Sequence, residues 1–301
     1  MNPHPASSPL LALAARLAPR HGYNATPLPC IRILRSETIL EDVPVLYRPG
    51  AVFVLQGSKQ GFLNGEVYRY DADHYLAVSV PVPFRMASQA SPGQPLLAIY
   101  FDFDLHLAAE IVTILEGPLG HDEREKARSL VSSRMVPSIA DVLQRLLHAL
   151  HHPQELAILG PGLLRELHYR VLIGPQGGSL MVALRRNGAT GRIVQSLSLI
   201  RERYNEGLSV PELAATVGMS VPSYYAGFKS LTGNTPIQYI KALRLHEARL
   251  MIARRKGSIA AIAAEVGYAS PAQFSRDFRR HFRRSPSEET QWMREHLGEP
   301  V

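Results

Sequence analysis

A single cysteine, Cys30, stands in 301 residues. That excludes an intrachain disulfide framework and any zinc site built on several thiolates. It fits a reducing, cytoplasmic setting. No run of about eighteen apolar residues occurs, so nothing reads as a membrane span. The apolar run from Pro9 to Leu17 has no Lys or Arg before it. It reads as a surface helix, not as a signal peptide. Between Ala25 and Phe103 the only histidine is His74. A metal-dependent barrel enzyme needs clustered His and Glu ligands, so no metal or other cofactor and no enzymatic activity is expected there. Gly160-Pro-Gly162 and Gly174 to Gly178 lack a P-loop lysine and read as breaks between helices. The trio His148, His151 and His152 has helical spacing suggestive of metal, but it lies at a helix end, where imidazoles also suit the dipole.

What is present is unevenly placed. Residues 191–301 hold 16 Lys+Arg and 10 Asp+Glu, a net of +6, while the first 190 residues hold 17 and 16, a net of +1. A basic segment beside a near-neutral one points to a polyanion partner for the basic part only.

That segment contains one device twice. Ser209-Val-Pro-Glu212 has capping-box spacing, Leu213 and Val217 lie four apart, and Gly218 ends the helix. Ser220 caps a second helix with Pro222 near its start, Tyr224 and Phe228 as its apolar stripe and Gly233 at its close. The second copy repeats this with Ser258, Ile262, Val266 and Gly267, then Ser270-Pro-Ala-Gln273, again read as a capping box, and the row Phe274, Phe278, Phe282. Helix, glycine turn and capped helix make a helix-turn-helix unit. Between the copies, Thr235 and Pro236 open a helix running to about Arg254, roughly 28 Å long at the α-helical rise. Such a rod sets two recognition helices in successive major grooves, which recur about every 34 Å. The outward set of the first recognition helix is Pro222, Ser223, Tyr225, Ala226 and Lys229. That of the second is Ala272, Gln273, Ser275 and Arg276, because Phe274 and Phe278 point inward.

These residues resemble the AraC/XylS family of bacterial transcription regulators. The match runs from about Ile193 to Arg294 and includes Leu213 to Ser220, Phe228-Lys229, Thr232-Gly233, Arg244-Leu245, Val266-Gly267-Tyr268, Gln273-Phe274-Ser275-Arg276 and Ser285-Pro286. The resemblance implies sequence-specific binding of double-stranded DNA, with Gln273 and Arg276 as the best base-readers. It also implies activation through contact with RNA polymerase. Pro222, Ser223, Tyr225, Ala226, Ala272 and Ser275 complete the candidate base-reading set. Lys229, Arg279, Arg280, Arg283 and Arg284 read as phosphate contacts. The chain departs from the family at Arg283, where the second copy often ends in glycine.

Residues 25–103 read as short strands, and Asn64-Gly65 between alternating flanks is a hairpin signal. The expected fold is α+β: a small antiparallel, cupin-like β-barrel with flanking helices, then an all-α domain with two helix-turn-helix units joined by a long helix. The expected domains are 1–135 for regulation, 136–190 as a helical linker and possible homodimer contact, and 191–301 for DNA binding. Expected helices cover Leu105–Leu115, Ile139–His151, capped by Ser138, and Leu156–Ile173. Pro44-Val-Leu-Tyr47, Gln56-Gly-Ser-Lys59, His74-Tyr-Leu76 and Glu166-Leu-His-Tyr-Arg170 resemble the N-terminal module of one AraC-family subgroup. That resemblance implies a sensing or regulatory domain for a small-molecule effector. Some members of that subgroup respond to reactive aldehydes or govern neighbouring oxidoreductases. Phe53, Phe62, Tyr68, Tyr75 and Tyr100 are candidates to line an effector pocket, and core packing explains them equally well. Two other classes compete: an enzyme or DNA-repair protein with a DNA-targeting helical domain, and a regulator that grips another protein. Alkyl-transfer repair proteins use several cysteines, which this chain lacks.

Overall fold

The computed structural model describes residues 9–91, 93–116, 127–185, 188–254 and 257–296. Helix α1 (Pro9–Leu17) precedes nine strands: β1 (Gly22–Ala25), β2 (Ile31–Ser36), β3 (Leu40–Leu46), β4 (Gly50–Gln56), β5 (Ser58–Leu63), β6 (Glu66–Tyr70), β7 (His74–Val78), β8 (Pro83–Gln89) and β9 (Leu96–Asp102). Then follow α2 (Leu105–Glu116), β10 (Leu130–Arg134), α3 (Pro137–Ala149), α4 (Pro153–Leu172), α5 (Gly177–Leu184) and α6 (Gly188–Glu202). The chain closes with α7 (Val210–Thr216), α8 (Val221–Thr232), α9 (Pro236–Ala253), α10 (Ile259–Glu265), α11 (Pro271–Phe282) and α12 (Pro286–His296).

The strands form two antiparallel sheets, ordered β1-β2-β9-β4-β7-β10 and β3-β8-β5-β6. Asn64 and Gly65 take the positive φ angles of a tight hairpin between β5 and β6. Because side chains alternate across a sheet, β9 feeds two cores. Leu96, Ala98 and Tyr100 join a core with small-sheet residues such as Val43, Phe84 and Met86. Leu97, Ile99 and Phe101 lie on the other face, under α1 to α5. That double burial explains the near-continuous apolar run of the strand.

Helices α3 and α4 pack on the large sheet through Leu143, Leu146, Leu147, Leu163 and Leu167. Two expectations need correction. Gly160-Pro-Gly162 does not break a helix: α4 runs through it with Pro161 inside. Packing of Leu163, Leu167 and Val171 overrides the local breakers. Likewise α3 starts at Pro137 with Val136 as N-cap and no side-chain cap, so Ser138 lies inside the first turn.

In the C-terminal helices, α9 is divided between two cores. Tyr239, Ile240 and Leu243 share the core that also holds the two-sheet interior and α6 to α8. Leu245, Ala248 and Ile252 belong to a separate core with Phe274, Phe278 and Phe282. The β-domain touches α9 directly: Tyr239 Oη donates to the Pro81 carbonyl at 2.9 Å.

Candidate nucleic-acid interface

Each recognition helix is started by a serine and held by an aromatic row. Ser220 Oγ accepts from Ser223 N, and Ser270 Oγ accepts from Gln273 N. The capping box expected at Ser270 is therefore only half made: Gln273 does not reciprocate with its own side chain, as Glu212 does at Ser209. Its amide is thereby left for other partners. Tyr224 and Phe228 are fully buried in α8, as are Phe274 and Phe278 in α11. The opposite faces are open. Pro222, Ser223, Tyr225, Ala226 and Lys229 are exposed on α8; Ala272, Gln273, Arg276, Arg279 and Arg280 are exposed on α11, with Ser275 half-buried. Ser223 Oγ accepts a hydrogen bond from Ser220 Oγ at 2.9 Å.

The spacer that carries these helices is pinned at its middle. Arg244 Nε donates to the Tyr204 carbonyl at 2.6 Å, and its two terminal nitrogens reach the carbonyls of Gly267 and Glu206 at 2.9 and 2.7 Å. One guanidinium thus joins the end of α6, the lead-in to α7 and the turn between α10 and α11. Gly267 sits there at φ +86°, with no room for a Cβ against the Asn205 carbonyl.

The basic residues at the end of α11 divide into two kinds. Arg279 and Arg283 are exposed. Arg283 takes the left-handed C-cap conformation, φ 63°, that Gly233 takes at the end of α8. Arg280 pairs with Asp277 at 2.7 Å while staying mostly exposed. Arg284 is committed inward: it donates to Glu289 at 2.7 Å and lies 4.0 Å from the centroid of the Trp292 ring. Its position past the left-handed residue turns it back onto α12.

A cavity of about 310 Å³ lies between the β-domain and α9. Lys59 and Tyr100 line it from the sheets, Tyr47 from the turn between β3 and β4, and Leu243, His246 and Arg249 from α9. Lys59 is buried and donates to Tyr100 Oη at 2.9 Å. Tyr100 and Tyr47 hydroxyls stand 3.3 Å apart. Burial pulls the Lys59 ammonium down to about 7 and pushes the three phenols of Tyr47, Tyr70 and Tyr100 well up. Of the five residues singled out from sequence, Tyr100 alone lines this cavity. Phe53 and Tyr75 face the helix-covered core, one alternation away. Phe62 and Tyr68 are half-buried on the small sheet, and Tyr68 donates to Glu66. The other cavity residues escaped notice because Lys59 reads as a surface lysine in a polar string.

His74 is paired with Asp71 at 3.3 Å. Cys30 is half-buried, and desolvation pushes its thiol up, away from the reactive thiolate.

Two capped helix-turn-helix units with open outer faces, on a rod packed against a β-domain, define a DNA-binding regulator. A family model described as "AraC-type transcriptional regulator N-terminus" matches residues 27–179, half of the chain, and a "Helix-turn-helix domain" model matches residues 213–291. The chain belongs to the AraC family of helix-turn-helix transcription regulators. It is 33% identical over 96 residues to the HTH-type transcriptional activator RhaS of Yersinia pestis, covering 32% of this chain and 35% of that protein. It is 35% identical over 88 residues to the probable transcriptional regulator LumQ of Photobacterium leiognathi, covering 29% of this chain and 36% of that protein. The chain thus spans about a third of the length of these curated relatives. The fold is shared with an apo variant of ToxT from Vibrio cholerae: TM-score 0.59 at 14% identity, over 90% of this chain and 99% of that one. No helix among the described residues is long and apolar enough to cross a membrane.

Proposed function

We propose that this protein regulates transcription by placing α8 and α11 in successive major grooves of one DNA duplex. The observation that carries this is the pair of exposed outer faces on helices whose inner faces are fully buried. At about 1.5 Å per residue, α9 spans about 27 Å, close to the groove repeat. Gln273 and Arg276 read bases: a glutamine amide matches adenine and a guanidinium matches guanine. Tyr225 and Ala226 offer apolar contact to thymine methyls. Lys229, Arg279, Arg280 and Arg283 meet phosphates, with Arg284 supporting the end of the helix from inside. A small molecule with an acidic head, seated on Lys59 in the cavity, contacts the sheets and α9 together and so reaches the spacer between the reading helices. Activation proceeds by contact with RNA polymerase in the cytoplasm.

Selection of bound duplexes from a random pool tests the reading. Arg276→Ala should relax preference at one base pair, costing about 1–3 kcal/mol there, whereas Lys229→Ala weakens all sequences alike. Retention of full sequence preference when Gln273 and Arg276 are both alanine would defeat the assignment.

A further inference from the structure

The turn between α3 and α4 brings three metal-ligating side chains to one point. His148 lies in the last turn of α3, His152 is the N-cap of α4, and Glu155 stands in the first turn of α4. His148 Nδ1 lies 3.2 Å from Glu155 Oε2. The two imidazole centroids are 4.7 Å apart, and donor atoms of all three residues lie within 4.8 Å of one another. The sequence groups His151 with the other two histidines. The structure puts Glu155 in its place, and the Nε2 of His151 is buried without a hydrogen-bond partner.

The backbone carrying these groups is fixed. His151 N donates to the His148 carbonyl, His152 N to the Ala149 carbonyl, and Leu156 N to the His152 carbonyl, at 2.9–3.0 Å. The preceding helix is anchored in the core by Leu143, Leu146 and Leu147. Helix dipoles account for part of the arrangement: a histidine suits the end of α3 and a carboxylate the start of α4. They do not account for a second imidazole beside the first. The donor atoms of two imidazoles and a carboxylate gather within the span of one coordination sphere.

We infer that His148, His152 and Glu155 form a site for a divalent transition metal of the zinc, cobalt and nickel type. Two imidazoles and one carboxylate match the borderline preference of these ions and not the all-oxygen preference of calcium or magnesium. Three protein ligands leave a fourth position for water or another donor. A groove of about 420 Å³ adjoins the site, lined by His148 and Glu155 together with Leu13, Gln144, Leu159 and Leu163. The side chains of His148 and Glu155 are 54% and 38% exposed, so an ion reaches them from solvent. Bound metal ties the end of α3 to the start of α4. The assignment is independent of the DNA-binding reading.

Untagged full-length protein titrated with Co²⁺ should take up one ion per chain with the visible absorption of a low-coordinate site, displaced by Zn²⁺. His148→Ala, His152→Ala and Glu155→Gln should each weaken Zn²⁺ binding by about tenfold or more. His151→Ala should leave it unchanged. Zn²⁺ should raise the melting midpoint of the unaltered chain and not that of the His148→Ala/His152→Ala variant. Circular dichroism and duplex binding check that this variant still folds. Stoichiometric uptake persisting in the double variant, an equal loss in His151→Ala, or a Co²⁺ spectrum that stays that of the aquo ion would each overturn the site.

Discussion

Arg249 Nε donates to Glu289 Oε1 at 2.7 Å, with both residues almost fully withdrawn from water. The same guanidinium donates to the Pro44 carbonyl of the β-domain at 3.3 Å, and Arg284 takes the second Glu289 oxygen. The pair therefore fastens α9, α12 and β3 to one another. Glu289→Leu strands the Arg249 guanidinium as a buried charge and should cost about 3–5 kcal/mol in urea unfolding; Arg249→Met should cost less, because Arg284 still holds Glu289. The double substitution should recover much of that loss. Single losses below about 1 kcal/mol would mean the pair is wet in solution.

A second pair, with His246 buried and His281 half-buried, sets the acid limb of stability. His281 Nε2 and His246 Nε2 lie 3.3 Å apart, one donating to the other. Burial, then Arg85 and Arg249, holds His281 down to about 4. Burial, then His281 and Arg249, holds His246 well below its usual value. Both titrate near 6.5 when unfolded, so below that pH the unfolded chain binds protons that the folded chain refuses. The contribution of the two histidines is full above about pH 6.5 and is lost toward pH 4, by on the order of 2–3 kcal/mol for His281 alone. His281→Gln should flatten that slope in urea melts compared across this range. An unchanged slope would mean that other groups carry it.

Lys59 extends the same trend to alkaline pH. Its ammonium is lowered to about 7, against about 10.4 in the unfolded chain. Between those values the folded chain holds the neutral amine, so stability rises with pH, by about 3 kcal/mol from pH 7 to about 9.5. Lys59→Met should be more stable than the unaltered chain at neutral pH and should lose this rise. It should also lose any acidic effector. A parallel pH dependence in both proteins would place the amine in water.

The paired glycines of the two turns make an internal comparison. Gly218 at φ +63° has open space where a Cβ would stand, whereas a Cβ on Gly267 would lie 2.4 Å from the Asn205 carbonyl. Gly218→Ala should cost about 1 kcal/mol for the left-handed backbone alone. Gly267→Ala should cost at least about 2 kcal/mol and loosen the Arg244 brace. Equal losses in thermal melts would show that backbone conformation, not contact, governs both.

The helix-turn-helix units were legible because their signals are local. Ser209, Ser220, Thr235, Ser258 and Ser270 all cap where spacing put them. Phenylalanines four apart became the inner face of α11. The cavity was not legible. Tyr47, Lys59 and Tyr100 come from strands β4 to β9 and the turn before them, and only sheet packing joins them. Nor was the burial of His246 and Arg249, since their partners Pro44, His281 and Glu289 lie far along the chain. Helix α9 is enclosed from several sides and buries ten residues. The glycine-proline string in α4 misled because breaker residues carry local preference only, and packing decided otherwise.

The division of α9 between two cores has a mechanical result. Up to Leu243 the spacer is continuous with the interior of the β-domain; from Leu245 onward it belongs to the kernel around Phe278. The first reading helix therefore inherits the rigidity of the sheets. The second rides on its own kernel, which meets the β-domain at β3 and is braced by Arg244 and Arg249. Amide exchange should show the distal kernel opening at a lower energy than the proximal one, so that the two halves of the spacer differ in stiffness.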